Sequence, residues 1–225
     1  RSTMQPPAEG VQWDNGAVSV SCWKGVSVKT VLEKASLKDV AADVLFEGID
    51  HGTERYSRHT LNYAMIVPLE KVLHPDTILA YEMNGEPLSP DHGYPLRLIV
   101  PGWYAMASVK WLTHIQVADE PYGGFFQKLR YVFINEGVES NPERVPVTTL
   151  KVKALITSPR HGEVIPRGRY VVRGTSWTGS GEVSRVEVSI DGGRTWGEAE
   201  LVGERAGNAW RQWEYPCELT TPGHF

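Results

Sequence analysis

The 225-residue sequence is poor in cysteine, with only Cys22 and Cys217 far apart along the chain. Two such residues cannot form a disulfide framework or a four-ligand zinc site. Among its seven histidines there is no His-Glu-x-x-His, and His51 and His59, eight apart, fit no standard ligand spacing, so a protein-only zinc site is not expected. Excess basic charge is also missing: 23 Lys and Arg stand against 27 Asp and Glu, a formal charge of -4. That leaves no global field to hold nucleic acid or acidic lipid. Long apolar runs are absent too. Leu96 to Val100 is broken by Arg97 and stopped by Pro101, far short of the roughly 20 residues that span a bilayer. No Gly-x-Gly-x-x-Gly opens a helix, and there is no internal repeat, no initiator Met and no signal segment. With Arg1 at one end and Pro222-Gly-His-Phe225 at the other, the sequence reads as an internal piece of a longer protein, which leaves its compartment open.

What is present is the composition of a packed protein. Hydrophobic residues make up 41% against 22% charged, with 8 Trp and 9 Tyr, too apolar for a disordered chain. At about 150 residues per domain, one large or two ordinary domains are expected.

Residues 1–146 mix helix and strand signals, an α+β pattern. Val28, Val31, Leu32 and Ala35 recur at helical spacing, predicting a short amphipathic helix from Val26 to about Ala35. Pro68 is placed at the first position of another helical turn ending at Leu73. Strands are expected at Val44–Phe46, Ile78–Met83, Leu96–Val100 and Val109–Val117, with Asn84-Gly85 as a tight hairpin turn. The polar, Pro-bearing stretch 138–147 reads as a linker, so a boundary is set between 146 and 147. Beyond it the pattern is purely β, at 150–156, 170–173, 183–190 and 210–215, which fits a small immunoglobulin-like sandwich lacking its last strands.

Several motifs carry little. Ser189-Ile-Asp-Gly-Gly-Arg-Thr-Trp196 matches a box repeated in propeller blades, but one copy reads as a hairpin turn whose adjacent glycines supply positive φ. Ser21-Cys-Trp-Lys24 fits Ser-x-x-Lys without its helix or companion motifs. Cys22, on the alternating run Val18 to Trp23 and with no group to lower its pKa, reads as a buried structural cysteine.

Asp91-His-Gly-Tyr-Pro-Leu-Arg97 differs in kind. A guanidinium inside an apolar run needs a carboxylate or a bound anion, since leaving it buried and unpaired costs several kcal/mol. Gly93 permits close backbone approach, and His92 can be held near one end of the Arg97 strand. Ser108-Val109-Lys110 adds a hydroxyl and an ammonium. Arg97, Lys110, Ser108 and His92 together offer the donors that a phosphate takes. The residues alone leave open a solvated strand face with Arg97 outward. Asp50, ending a strand before a Gly-bearing loop, can accept from the amino groups of a heterocycle or cap a turn.

In order along the chain, Arg1-Ser-Thr-Met4, Gly10-Val-Gln-Trp13, Gly16 to Trp23, Phe46-Glu-Gly-Ile-Asp50, Leu79-Ala-Tyr-Glu-Met-Asn-Gly85, Asp91 to Arg97, Ser108-Val-Lys-Trp-Leu112 and Ser189 to Trp196 resemble the sulfite oxidase family of molybdopterin enzymes. The resemblance implies a molybdopterin-binding domain over 1–146 and an immunoglobulin-like dimerisation domain over 147–225. Asp50, His92, Arg97, Ser108, Val109 and Lys110 would bind the pterin and its phosphate, while Arg1, Trp13 and Tyr131 would face the oxyanion substrate. It further implies oxygen-atom transfer from sulfite to sulfate, a homodimer, and electrons passed to a cytochrome, with haem on a partner or another domain. Nitrate or another sulfur oxyanion is the alternative within the family, and a non-catalytic dimerising module the alternative outside it. The family's molybdenum-ligating cysteine lies a few residues before the position of Arg1, so these 225 residues alone are expected to hold cofactor poorly and to show no turnover. Cys22 does not substitute for it.

Overall fold

From Asp43 to Gly48 every second residue is buried, the period of a strand with one face on a core. This strand organises the first of two units. The computed structural model describes residues 5–7, 11–38, 41–53, 60–119, 123–135 and 143–223. One unit comprises Ser21–Leu150, and the other Lys151–Phe225 with Arg1–Val20.

In the first unit, β1 (Trp23–Ser27) leads directly into α1 (Val28–Lys34). The helix starts two residues later than predicted because Val26 and Ser27 pair with Leu79 and Ile78. Val28 and Leu32 are buried as the periodicity requires, whereas Ala35 is an exposed cap. β2 (Asp43–Thr53), β3 (Thr60–Pro68) and β7 (Leu112–Ala118) form an antiparallel sheet in the order β3-β2-β7. Pro68 ends β3 and caps α2 (Leu69–Val72) rather than occupying its first turn. A second sheet is centred on β4 (Ile78–Met83), with β1 along one edge and β5 (Glu86–Pro87) and β6 (Arg97–Ile99) along the other. Asn84 and Gly85 both take positive φ, 54° and 84°, between paired Met83 and Glu86, so the expected hairpin turn is present. The core gathers Val28, Leu32, Val44, Phe46, Met65, Leu79, Leu98 and Val109 among others. Full burial of side chains of this size contributes about 1.5–3 kcal/mol each.

Three expectations are corrected. Val18–Cys22 carries no strand, and Cys22 is exposed: its backbone exchanges with Asn84 at the hairpin, Asn84 N–H donating to Cys22 O at 2.7 Å, which leaves the thiol on the outside. Of the expected linker, Glu143–Pro146 is a strand, β9, paired with β8 (Val132–Asn135); 138–142 lie outside the described residues. Asp50 sits within β2, which runs on to Thr53.

In the second unit, β10 (Lys153–Ser158), β11 (Gly168–Trp177), β15 (Arg211–Leu219) and β14 (Glu200–Val202) form one antiparallel sheet in the order β10-β11-β15-β14. β12 (Glu187–Val188) and β13 (Gly197–Glu198) make a hairpin over Ser189–Trp196, so only two residues of the expected strand 183–190 pair. Val172, Val186, Val188, Ala199 and Trp213 form its core. The chain is mostly β with few helices.

Candidate functional site

Arg97 opens β6 opposite Ala80, on the edge of the second sheet. The neighbouring backbone is short of pairing there and uses the segment 108–112: Leu98 N–H donates to Val109 O at 2.8 Å and Leu112 N–H to Leu96 O at 2.9 Å. Arg97 and Lys110 are thereby brought side by side. Gly93, buried with φ 102°, lies between them; a Cβ there would stand 3.0 Å from Lys110 Cβ and 3.2 Å from Arg97 Cβ. Only glycine suits both that backbone and that space.

The two cations are held by neutral groups. Arg97 Nη1 donates to His92 O at 2.9 Å and Nη2 to Ser108 O at 3.1 Å, while its Nε is buried with no partner. Arg97 Cζ lies 4.8 Å from the Trp23 ring centre. Lys110 Nζ donates to Asp91 O at 2.9 Å and stands 4.2 Å from the Trp111 ring centre. Burial lowers the Arg97 pKa, although a guanidinium stays protonated at neutral pH. Neither cation forms an ion pair among the described residues.

The other expected residues of this group fall around them. The exposed His92 ring bonds Ser89 Oγ at 2.7 Å, and its carbonyl serves Arg97. Ser108 Oγ accepts from Val100 N–H at 3.1 Å. Val109 is 0% exposed, so its side chain belongs to the core and holds Ser108 and Lys110 on either side.

Asp50 reaches the same place from the first sheet. Gly48-Ile49-Asp50 bulges out of β2, three residues facing Tyr63 alone between the pairs Glu47 with Ala64 and His51 with Asn62. Such a bulge re-aims a side chain. A Cβ on Gly48 would overlap the Asp50 carboxylate and stand 2.6 Å from Lys110 O, which places Asp50 against the Lys110 backbone. Asp50 Oδ1 is buried with no hydrogen-bond partner. Burial raises its pKa, opposed by its own backbone N–H, Lys110 and His51.

Beside Asp50 opens a groove of about 280 Å³, walled by Tyr63, Phe126 and Arg130. Phe126–Arg130 is a π-helical turn, a geometry frequent at functional sites, and it delivers Tyr131. Tyr63 and Phe126 rings are 4.8 Å apart, and Phe126 stacks on Tyr131 at 6.2 Å. Tyr63 Oη donates to Met106 O at 2.7 Å; burial, and then the Tyr131 phenol beside it, hold it protonated well above the ordinary tyrosine range. A larger hollow in the second unit, about 660 Å³ over the turn Thr157–Glu163, is open to solvent, and none of the six residues that line it carries a buried unpartnered polar side-chain atom.

Of the three residues expected to face the substrate, Tyr131 is here, Trp13 is 60% exposed on the segment grouped with the second unit, and Arg1 lies outside the described residues. Trp23, Trp111 and Tyr63 join the site without being expected there. The signal for Trp111 is its place next to Lys110, but only long-range pairing brings Trp23 to Arg97 or Tyr63 to Asp50.

The chain belongs to the sulfite oxidase family of molybdopterin oxidoreductases: residues 1–126 match the oxidoreductase molybdopterin binding domain, and residues 144–219 the Mo-co oxidoreductase dimerisation domain. Mitochondrial sulfite oxidase of Mus musculus is 36% identical over 97% of this chain, and sulfite oxidase of Gallus gallus 37% over 96%. The NADH nitrate reductase of Spinacia oleracea is 34% identical over 93%. These matches cover 42%, 48% and 25% of the respective relatives, so the chain spans less than half of each. Among solved structures, the sulfane dehydrogenase SoxCD of Paracoccus pantotrophus superposes with a TM-score of 0.72 at 30% identity, over 87% of this chain and 47% of that one.

Proposed function

We propose that the protein is a molybdenum-dependent oxidoreductase that converts sulfite to sulfate and passes the electrons to a cytochrome or comparable acceptor. The observation that carries this is the pair of cations, Arg97 and Lys110, held on carbonyls beside a buried Asp50 oxygen with no donor. Two cations with a carboxylate beside them are a donor set that suits a phosphorylated heterocycle.

Those residues fit molybdopterin. Arg97, Lys110, Ser108 and His92 would hold its phosphate, with Val109 fixing the strand between them, and Asp50 would accept from amino groups of the pterin. The bound cofactor supplies the two-electron redox chemistry and the exchange of oxygen with water. The chain's own residues position and compensate charge. By family resemblance, Arg1, Trp13 and Tyr131 would be assigned to the oxyanion, since a guanidinium, an indole and a phenol favour a small anion over water. The residues facing the oxyanion, rather than the pterin site, would decide between sulfite and nitrate. The domain division at 146/147, an immunoglobulin-like sandwich in the second domain, homodimerisation through it, and a haem carried by a partner or another domain complete the proposal; the match to a dimerisation domain supports the dimer.

The test is steady-state turnover of the protein produced from its complete gene in a host that makes the cofactor. Sulfite-dependent reduction of cytochrome c, with nitrate inactive in the reverse assay, is the expected result. Turnover of nitrate without sulfite oxidation would assign the other substrate, and a protein without molybdenum would indicate a binding module.

A further inference from the structure

Several other cations of this chain meet carboxylates. Lys24 bonds Glu82 at 3.1 Å, and Arg173 bonds Glu214 at 2.9 Å. Lys24 immediately follows Trp23 on β1, so charged partners are within reach of this very strand pair. Among the described residues neither Arg97 nor Lys110 forms an ion pair, Lys110 acting on the Asp50 carboxylate only at longer range, and each lies against an indole. The guanidinium of Arg97 is 4.8 Å from the Trp23 ring centre, and the ammonium of Lys110 is 4.2 Å from that of Trp111.

The physical consequence is specific. A carboxylate would fix either cation but cancel the charge that an anion needs. An aromatic face attracts a cation through its quadrupole and carries no net charge, so it fixes the group and leaves its charge intact. Carbonyl oxygens of His92, Ser108 and Asp91 act in the same way along the edges. Trp111 is itself tied down: its Nε1 donates to Pro90 O at 2.8 Å, and its backbone takes φ 49°, a left-handed conformation that a bulky residue rarely adopts.

We infer that Trp23 and Trp111 are positioning residues for phosphate binding, holding Arg97 and Lys110 by their ring faces so that both charges remain free for the anion. This rests on the reading of Arg97 and Lys110 as the phosphate cradle of the cofactor. A ring without the indole nitrogen should serve at position 23, because among the described residues the Trp23 ring makes no side-chain hydrogen bond. At position 111 the Nε1 bond to Pro90 also matters, so phenylalanine should rescue only in part.

The experiment compares Trp23→Leu, Trp23→Phe, Trp111→Leu, Trp111→Phe and Arg97→Ala, each produced from the complete gene, by the pterin retained per folded chain after extensive dialysis. Trp23→Leu and Trp111→Leu are expected to retain about three- to tenfold less than the parent, Trp23→Phe to lie within about twofold of it, and Trp111→Phe to fall between. If Arg97→Ala loses pterin while both leucine variants retain it fully, the inference is wrong and the cradle stands. Equal loss in Trp23→Leu and Trp23→Phe would assign Trp23 to packing alone and overturn its role. Full retention by Arg97→Ala would remove the cradle and the inference with it.

Discussion

The side chain of Gln127 pairs with the backbone of Ile66 as a neighbouring strand would: its Oε1 accepts from Ile66 N–H at 2.8 Å and its Nε2 donates to Ile66 O at 2.7 Å. Ile66 lies on β3, the edge of the β3-β2-β7 sheet, and both residues are buried. One amide thus covers the exposed edge and ties the π-helical turn that delivers Tyr131 to the sheet. Gln127→Leu keeps the volume but strands two buried backbone groups at about 1–3 kcal/mol each. Denaturant unfolding should show a loss of roughly 2–6 kcal/mol, with faster hydrogen exchange at the Ile66 amide. A loss below about 0.5 kcal/mol would show that the pairing contributes nothing net.

Gly93 stands between the Arg97 and Lys110 side chains. Gly93→Ala must place a Cβ at φ 102° and within 3.0–3.2 Å of the Lys110 and Arg97 side chains. The expected cost is about 1–2 kcal/mol in stability, together with a several-fold drop in pterin retained, because the displaced groups are the cations themselves. Denaturant melts and pterin content on the same preparation separate the two effects. Lost stability with full pterin content would place Gly93 in folding only.

Much of this site is legible in the amino-acid sequence alone. Arg97 in an apolar run calls for a carboxylate or an anion, and Gly93, Ser108 and Lys110 point to a basic pocket, although the residues alone also allow a solvated strand face. Asn84-Gly85 likewise declares its turn, because few residues accept positive φ twice in succession. What stays hidden depends on pairing across the chain. No strand is expected at Thr60–Pro68, where Ala64 to Val67 is continuously apolar and shows neither period, so the bulge that turns Asp50 toward Tyr63 and the closure by Gln127 stay out of sight with it. Glu143–Pro146 reads as a linker for its charge and proline, yet a two-stranded ribbon with Pro146 at the end of the strand tolerates both. Cys22 reads as buried from its alternation, which ignores that the adjoining residues Val18–Ser21 are unpaired.

Asp191 governs the acid stability of its hairpin. Its Oδ1 accepts from the Arg194 and Thr195 N–H groups, both at 2.9 Å, and from Ser189 Oγ; its Oδ2 accepts from Thr195 Oγ1 at 2.7 Å. Those bonds, the Thr195 ones foremost, hold the carboxyl far below its usual range. A depressed folded-state pKa contributes stability that is complete above the unfolded value of about 4 and is lost as pH falls toward the folded one. Asp191→Asn should therefore lower the thermal midpoint by a constant amount from pH 5 to 7, and the gap should close progressively below about pH 4. A gap unchanged down to pH 2 would mean that the charge is not what stabilises the turn.

The role of the whole site depends on Arg97 anchoring the phosphate of a molybdenum cofactor. Counting molybdenum and pterin per chain in Arg97→Ala and Tyr131→Phe proteins made from the complete gene decides it. Arg97→Ala should lose at least about tenfold of both, as removal of a charge-assisted contact worth roughly 1.5–3 kcal/mol requires. Tyr131→Phe should stay loaded, since the phenol is assigned to substrate. Full molybdenum and pterin in Arg97→Ala would refute the anchoring role.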